Sequence, residues 1–306
     1  MLNERSQIAV EIESAEGTAE TLVAADQLSP AFNPTFEPNI DMHERNPARS
    51  NLGRIGAVPG KRSGRIAFEL DLVGGSAGAA VYFTDAIKAC GVGETLVGNT
   101  SATYKPASSS ISSVTVGRYV DAKLNRIWGA RGTARLVLEA GKPGRFFFEF
   151  FGADFDDADA ALLSGGTHHA TVPPIFADAS LTIDSYAAIL ESVEIDFGNV
   201  LGLRTSANAA SGNLSVIIGD RKPMLRFNPE AVLVATEDFM GNWRSGTEMA
   251  FTTALGSAAG NTITITAPKV QYQGVRESVR EGNLVYDIEA QLGMNTGDDE
   301  WQIAIT

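Results

Sequence analysis

A single cysteine, Cys90, stands among 306 residues, so the chain builds no internal disulfide framework and fits a reducing compartment. Cations are in deficit: 24 Lys and Arg against 37 Asp and Glu leave a net charge of −13. That deficit argues against a protein whose main task is gripping nucleic acid or an anionic membrane, because such grip needs clustered cations. Long apolar runs are missing as well, and none approaches the roughly 20 residues that span a bilayer. Residues 1–13 carry acids where a signal peptide has a basic region and an apolar core. These absences predict a soluble protein made in the cytoplasm, with no membrane partner.

What the chain does have is turn chemistry. Its 31 Gly and 12 Pro, with only 20% charged residues, suit turn-rich β-structure, and its length favours two domains. Ile66, Phe68, Leu70 and Leu72 alternate with Ala67, Glu69 and Asp71. The same period recurs in 193–197, around Ile263 and Ile265, and from Leu284 to Leu292. These segments read as half-buried antiparallel strands. The run from Phe146 to Phe151 has only Glu149 as a polar member, so both its faces need cover. That cover comes from its own domain or from a neighbouring copy, and both readings stay open.

Two short helices are expected. Thr84 is placed to cap 85–90 and Thr236 to cap 237–244, each with an acid early and a base late, as the helix dipole favours. Similar features follow one another in the same order twice along the chain. Gly64 and Gly212 lie 148 residues apart, Thr84 and Thr236 152 apart, and the turns near Gly144 and Gly282 138 apart. The expected organisation is a first domain at 1–155 with an N-terminal extension and a long basic loop at 45–65. A linker follows at 156–174, rich in Asp and Ala and then Gly and Pro, and a second domain covers 175–306.

Particular stretches carry a family resemblance. NPTFEPNIDMHERNPARSNLGRIGAVPGKRSGRIAFEL at 33–70, the AIKACG segment at 86–91, ARGTARLVLEAGKPGRFFFEF at 130–150 and APKVQYQGVRESVREGNLVYDIEAQLG at 267–293 resemble the major tail tube proteins of long-tailed, siphovirus-type phages. The resemblance implies a mainly β fold: two tandem β-sandwich or partial-barrel tail-tube domains, each with a short flanking α-helix. It implies a virion protein assembled in the host cytoplasm. Three fused pairs, or six chains as the alternative, would close a ring, and rings would stack into a tube that conducts DNA without binding it specifically. Tail terminator, tape measure and distal tail proteins would be its partners. The family carries no catalytic motif and no cofactor, so the expectation is a structural protein and not an enzyme. Another ring-forming tail or injection-tube component is the alternative.

Charge placement suggests how such a tube would work. Glu69 and Asp71, Glu194 and Asp196, and Asp287 and Glu289 alternate with core residues, and no base is expected on the same faces. Like charges crowded on a sheet are destabilising, which suggests a lumen wall that repels DNA phosphates. An ordinary solvated outer face is the other reading. Arg45, Arg49, Arg54, Lys61, Arg62 and Arg65 fall in a stretch without an acid, whereas Asp154, Asp156, Asp157 and Asp159 form an acidic patch. The basic loop is expected to dock on the acidic surface of a neighbouring subunit or ring, with Phe147 and Phe151 as further contacts.

Catalytic and metal patterns dissolve on inspection. Gly74 to Gly78 fits G-x-S-x-G, but Val81-Tyr82-Phe83 separates Ser76 from the expected helix, and an elbow needs the helix at once. His168-His169 lacks a third ligand at matching spacing. The Asp154–Asp159 cluster lacks the glycine and glutamate of a calcium loop, and Ile55 stands where a P-loop ending at Gly60-Lys61 needs glycine.

Overall fold

Ile66, Phe68 and Leu70 are buried while Arg65, Ala67 and Glu69 between them stay half-exposed, so the period-2 pattern does resolve into a strand. The protein is mainly β. The structure, a computed structural model, describes residues 2–306. The chain opens with β1 (Ser6–Ile12), β2 (Gln27–Leu28), β3 (Ala31–His43) and β4 (Val58–Asp71), followed by α1 (Thr84–Lys88). Next come β5 (Val92–Val97), β6 (Ser101–Pro106), β7 (Val114–Val120), β8 (Lys123–Glu139), β9 (Arg145–Gly152) and β10 (Asp154–Asp159). Then follow β11 (Thr182–Ile183), β12 (Leu190–Asp196), β13 (Asn199–Thr205), β14 (Asn213–Arg221), β15 (Met224–Pro229) and α2 (Phe239–Ser245). The chain closes with β16 (Glu248–Leu255), β17 (Ile263–Arg280), β18 (Asn283–Gly293) and β19 (Gln302–Ile305).

The principal sheet runs β3-β4-β9-β8-β12-β15-β18-β17, eight strands with every neighbour antiparallel. A second layer runs β11-β16-β17-β19-β6-β5. A third, smaller sheet runs β2-β1-β7-β8-β10. Strands β13 and β14 form a separate hairpin between β12 and β15.

Two long strands tie the layers together. The first part of β8 pairs with β7 and β10, and its last part, 131–137, pairs with β9. Gly129 stands at the change with φ +58, and a Cβ there would press on Ala153 and on the Leu214 carbonyl at 3.1 Å. Only glycine takes that conformation without strain. In β17, residues 263–266 pair with β19 and 269–280 pair with β18.

One hydrophobic cluster runs through all three sheets. Its aromatic spine joins distant segments: Phe146 meets Phe197 edge-on at 6.3 Å, and Phe197 stacks on Trp301 at 4.3 Å. On β9, Phe146, Phe148 and Phe150 are buried, whereas Phe147 and Phe151 lie half-exposed on the other face. The strand alternates and is not buried on both sides.

Three expectations change. Thr84 does not cap α1: Phe83 occupies that position, and the Thr84 hydroxyl turns inward to Glu94 and Tyr104. In α2 the cap is Asp238, whose carboxylate accepts from the Gly241 N–H at 2.7 Å, and not Thr236; Gly246 ends the helix in the left-handed region. The supposed linker at 156–174 begins inside β10, which is hydrogen-bonded to β8. Leu162 and Leu163 then pack on the small cluster of Ala9, Leu22, Tyr119 and Leu124. Among the described residues no helix is long and apolar enough to cross a membrane.

Candidate functional site

The face of the principal sheet turned away from the core carries the charge. Register decides which residues share it. One row runs Asp71–Arg145–Val137–Glu194–Arg226–Glu289 across successive strands. The next runs Glu69–Phe147–Arg135–Asp196–Met224–Gln291. Asp287 lies opposite Arg276 on the same face. Glu69, Asp71, Glu194, Asp196, Asp287 and Glu289 therefore share one face of the sheet, on which Asp71 is buried and the other five are at least partly exposed.

They are not alone there, which corrects the expectation of a face without bases. Arg145 reaches Glu69 at 3.2 Å and Asp71 at 3.1 Å. Arg226 bridges Glu194 at 2.7 Å and Glu289 at 3.3 Å, and Arg135 reaches Glu194 at 3.4 Å. The Glu194 hydrogen bond pushes the Arg226 guanidinium above its ordinary pKa, so this charge is fixed. Asp196 spends one oxygen on the Gly198 N–H at 2.9 Å, and neither it nor Asp287 forms an ion pair among the described residues. The surface is a mosaic in which guanidiniums are held between carboxylates.

Beside Asp196 the face is hollowed. A trough of about 570 Å³ crosses from β3 to β12, with Arg65, Glu69, Arg135 and Glu149 along it. Phe147 lies on its floor under the Arg135 guanidinium, 4.9 Å from the ring centre. Because β9 is flanked by β4 and β8, neither Phe147 nor Phe151 reaches a sheet edge.

The basic stretch divides in two. Arg45, Arg49 and Arg54 lie in the connection between β3 and β4, where every residue from 44 to 57 is exposed. Arg54 approaches Glu44 at 3.7 Å. Arg62 and Arg65 are already engaged within the chain: Arg62 with Asp154, and Arg65 with Glu37 at 3.0 Å and Glu149 at 2.6 Å. The Lys61 stem packs over Gly212. The acidic patch is similarly occupied, with Asp156 on Arg126 at 2.6 Å and Asp157 on Lys123 at 2.9 Å. Docking between basic loop and acidic patch thus happens partly inside one molecule.

Other candidates resolve into structural roles. The Gly74–Gly78 segment is held by Asn261 and Gly260, and α1 begins only at Thr84. His168 bonds the Ser29 hydroxyl, and His169 stacks on Tyr82 at 5.0 Å. Sequence reading missed Arg135, Arg145 and Arg226. Each lies at the outward parity of its own strand, a signal that period-2 counting carries, but their partners follow only from register.

The chain matches no model of a known protein family, and no curated protein matches it significantly.

Proposed function

We propose that this chain is the repeating subunit of a tube, of the phage tail tube kind, and that its mosaic face lines a channel for DNA. The observation that carries the reading is the eight-stranded antiparallel sheet with β3 unpaired at one end and residues 272–280 of β17 unpaired at the other. Exposed strand edges are normally blunted in a monomer, and joining edge to edge removes them.

The order within the sheet supports a tandem design. Strands β3-β4-β9-β8 and β12-β15-β18-β17 each consist of an opening antiparallel pair, interrupted in the second set by the β13–β14 hairpin, and a closing hairpin laid in reverse, with a short helix between the two pairs in sequence. Each set of four is one tube domain, flanked by its helix, and the chain is a fused pair. β8 and β12 make the joint between them.

Geometry then favours three chains per ring. At ~4.8 Å per strand, three copies give a 24-stranded wall of ~115 Å circumference and a backbone diameter of roughly 37 Å. Two copies reach only about 24 Å, the class of porin-like barrels with an aqueous channel. Carboxylates interleaved with the bridged arginines Arg145, Arg226 and Arg135, and Asp287 opposite Arg276, leave DNA phosphates no cluster of free cations to grip. The solution is a wall that lets a polyanion slide. Tail terminator, tape measure and distal tail proteins are the partners that such a role entails, in a virion.

Electron microscopy of the purified chain tests this directly. The expected result is a three-fold ring with a central hole, stacking into tubes. Rings that never stack favour a tail terminator or injection-tube ring, six-chain rings favour the hexamer, and a monomer at every concentration rejects the reading.

A further inference from the structure

The internal joint between β8 and β12 is a template for the joint between molecules. There Arg135 lies opposite Asp196, Leu136 opposite Ile195 and Val137 opposite Glu194. If the two sets of four strands are equivalent, β17 has the place of β8 and β3 the place of β12. The free edges would then meet as these two do.

The equivalence can be followed residue by residue. The closing hairpins β8–β9 and β17–β18 turn at Gly141 and at Glu281-Gly282, which aligns Phe148 with Ile288. Phe148 is opposite Phe68 and Ile288 is opposite Phe227, so Phe68 matches Phe227 and Ile66 matches Leu225. Ile66 is opposite Phe36 and Leu225 opposite Ile195, which makes Phe36 the counterpart of Ile195 and Glu37 that of Asp196. On the other side, Ala134 is opposite Phe148 and Val275 opposite Ile288, so Arg135 matches Arg276. An arginine and a carboxylate thus recur where the internal joint has an arginine and a carboxylate.

We infer that residues 275–278 of β17 pair antiparallel with residues 35–38 of β3 in a second copy of this chain, with Arg276 facing Glu37 and Ser278 facing Thr35. The inference rests on the ring reading and adds its register. Eight alternating strands make the sense of the joint antiparallel without further adjustment. Arg276 is exposed and has no ion pair among the described residues, and the Glu37 side chain, bridged on one side by Arg65 at 3.0 Å, is still 63% exposed. Their charges are complementary. Pro34 and Pro38 strip two N–H donors from β3, blunting it against indiscriminate strand addition, and the Pro34 carbonyl is already taken by Arg118 Nε at 3.1 Å.

A cysteine pair reads the register. Cys90 is fully buried, so the native thiol stays out of the reaction. In Thr35→Cys/Ser278→Cys, mild oxidation is expected to link chains covalently into closed trimers on a non-reducing denaturing gel. The displaced pair Asn39→Cys/Ser278→Cys is expected to stay unlinked. Three-fold rings that link through the displaced pair, or through neither, overturn the register and leave the ring reading intact. Absence of rings overturns both. As a second arm, Arg276→Glu is expected to abolish rings while the monomer keeps its melting temperature, and Glu37→Arg/Arg276→Glu to restore them. Rings that survive the single change, or fail to return with the double, overturn the pairing.

Discussion

Arg62 donates through Nε and Nη2 to the two carboxylate oxygens of Asp154, at 3.0 and 2.9 Å. The partners are unequally placed. The Asp154 side chain is 7% exposed and the Arg62 side chain 41%. Removing Arg62 strands a buried carboxylate, while removing the charge of Asp154 lets Arg62 turn to water. Arg62→Ala is therefore expected to cost about 2–3 kcal/mol in unfolding free energy, and Asp154→Asn about 1–2 kcal/mol. Denaturant melts of the two variants check the order, and equal losses would contradict it.

Phe197 and Trp301 supply a second prediction. Their stacked rings, with Phe146 edge-on behind, cross between the principal sheet and the end of the chain. Trp301 is 2% exposed, so Trp301→Ala is expected to cost about 3–5 kcal/mol through lost contact and a residual cavity. Because one cluster joins all the sheets, calorimetry should show one transition in wild type and in variant alike. Two separated transitions in wild type would mean that the joint is weaker than its packing indicates.

What the sequence made legible was local. The alternations at 66–72, around Ile263 and along 284–292 became strands because side-chain parity depends only on the neighbours in sequence. Partner choice was not legible. Thr84 had the chemistry of a cap but found Glu94 and Tyr104. Asp156 and Asp157 looked like the start of a polar linker because their cations, Arg126 and Lys123, lie on a strand made earlier in the chain. Gly64 and Gly212 were paired as markers, yet the first is opposite Gly152 within β4 and the second makes a left-handed turn before β14. The six acids share a face as their parity implied; their arginine partners required the register.

Glu11 makes stability depend on pH near neutrality. Burial, then a hydrogen bond and repulsion from Asp26, raises its pKa from 4.5 to about 7, with Asp85 and Glu20 adding smaller repulsion. Between those values the folded chain holds a proton that the unfolded chain has released. Stability is thus expected to fall as pH rises from about 4.5 to about 7 and to level off above. Glu11→Gln imitates the protonated side chain, so its contribution should be flat across that window. Melting temperatures at intervals of pH check this, and parallel curves for wild type and variant would remove Glu11 as the cause.

The exposed arginines make a separate prediction about stacking. Arg45, Arg49 and Arg54 lie in the exposed connection between β3 and β4 and play little part in the fold: among the described residues, Arg54 alone of the three forms an ion pair, at 3.7 Å and between exposed side chains. Arg45→Ala/Arg49→Ala/Arg54→Ala should therefore leave the melting temperature within about 2 °C while shortening tubes and weakening their dependence on salt. Length distributions from negative-stain images at two ionic strengths measure the effect. Unchanged tubes would leave the loop without a part in assembly.

The mosaic face can be unbalanced without disturbing its ion pairs. Asp196 and Asp287 are the acids of the six that form none among the described residues, while Arg135 and Arg276 stand directly opposite them. Neutralising both in Asp196→Asn/Asp287→Asn removes field that holds phosphates off and keeps the arginines. Linear duplex DNA mixed with wild-type tubes should remain in the supernatant on sedimentation. With the variant it should sediment with the tubes at low salt and come off as salt rises, because Arg135 and Arg276, no longer faced by carboxylates at 196 and 287, then meet phosphates and release counterions. If the variant retains no more DNA than wild type, the carboxylates do not set the wall's affinity, and the sliding surface must be sought on another face of the molecule.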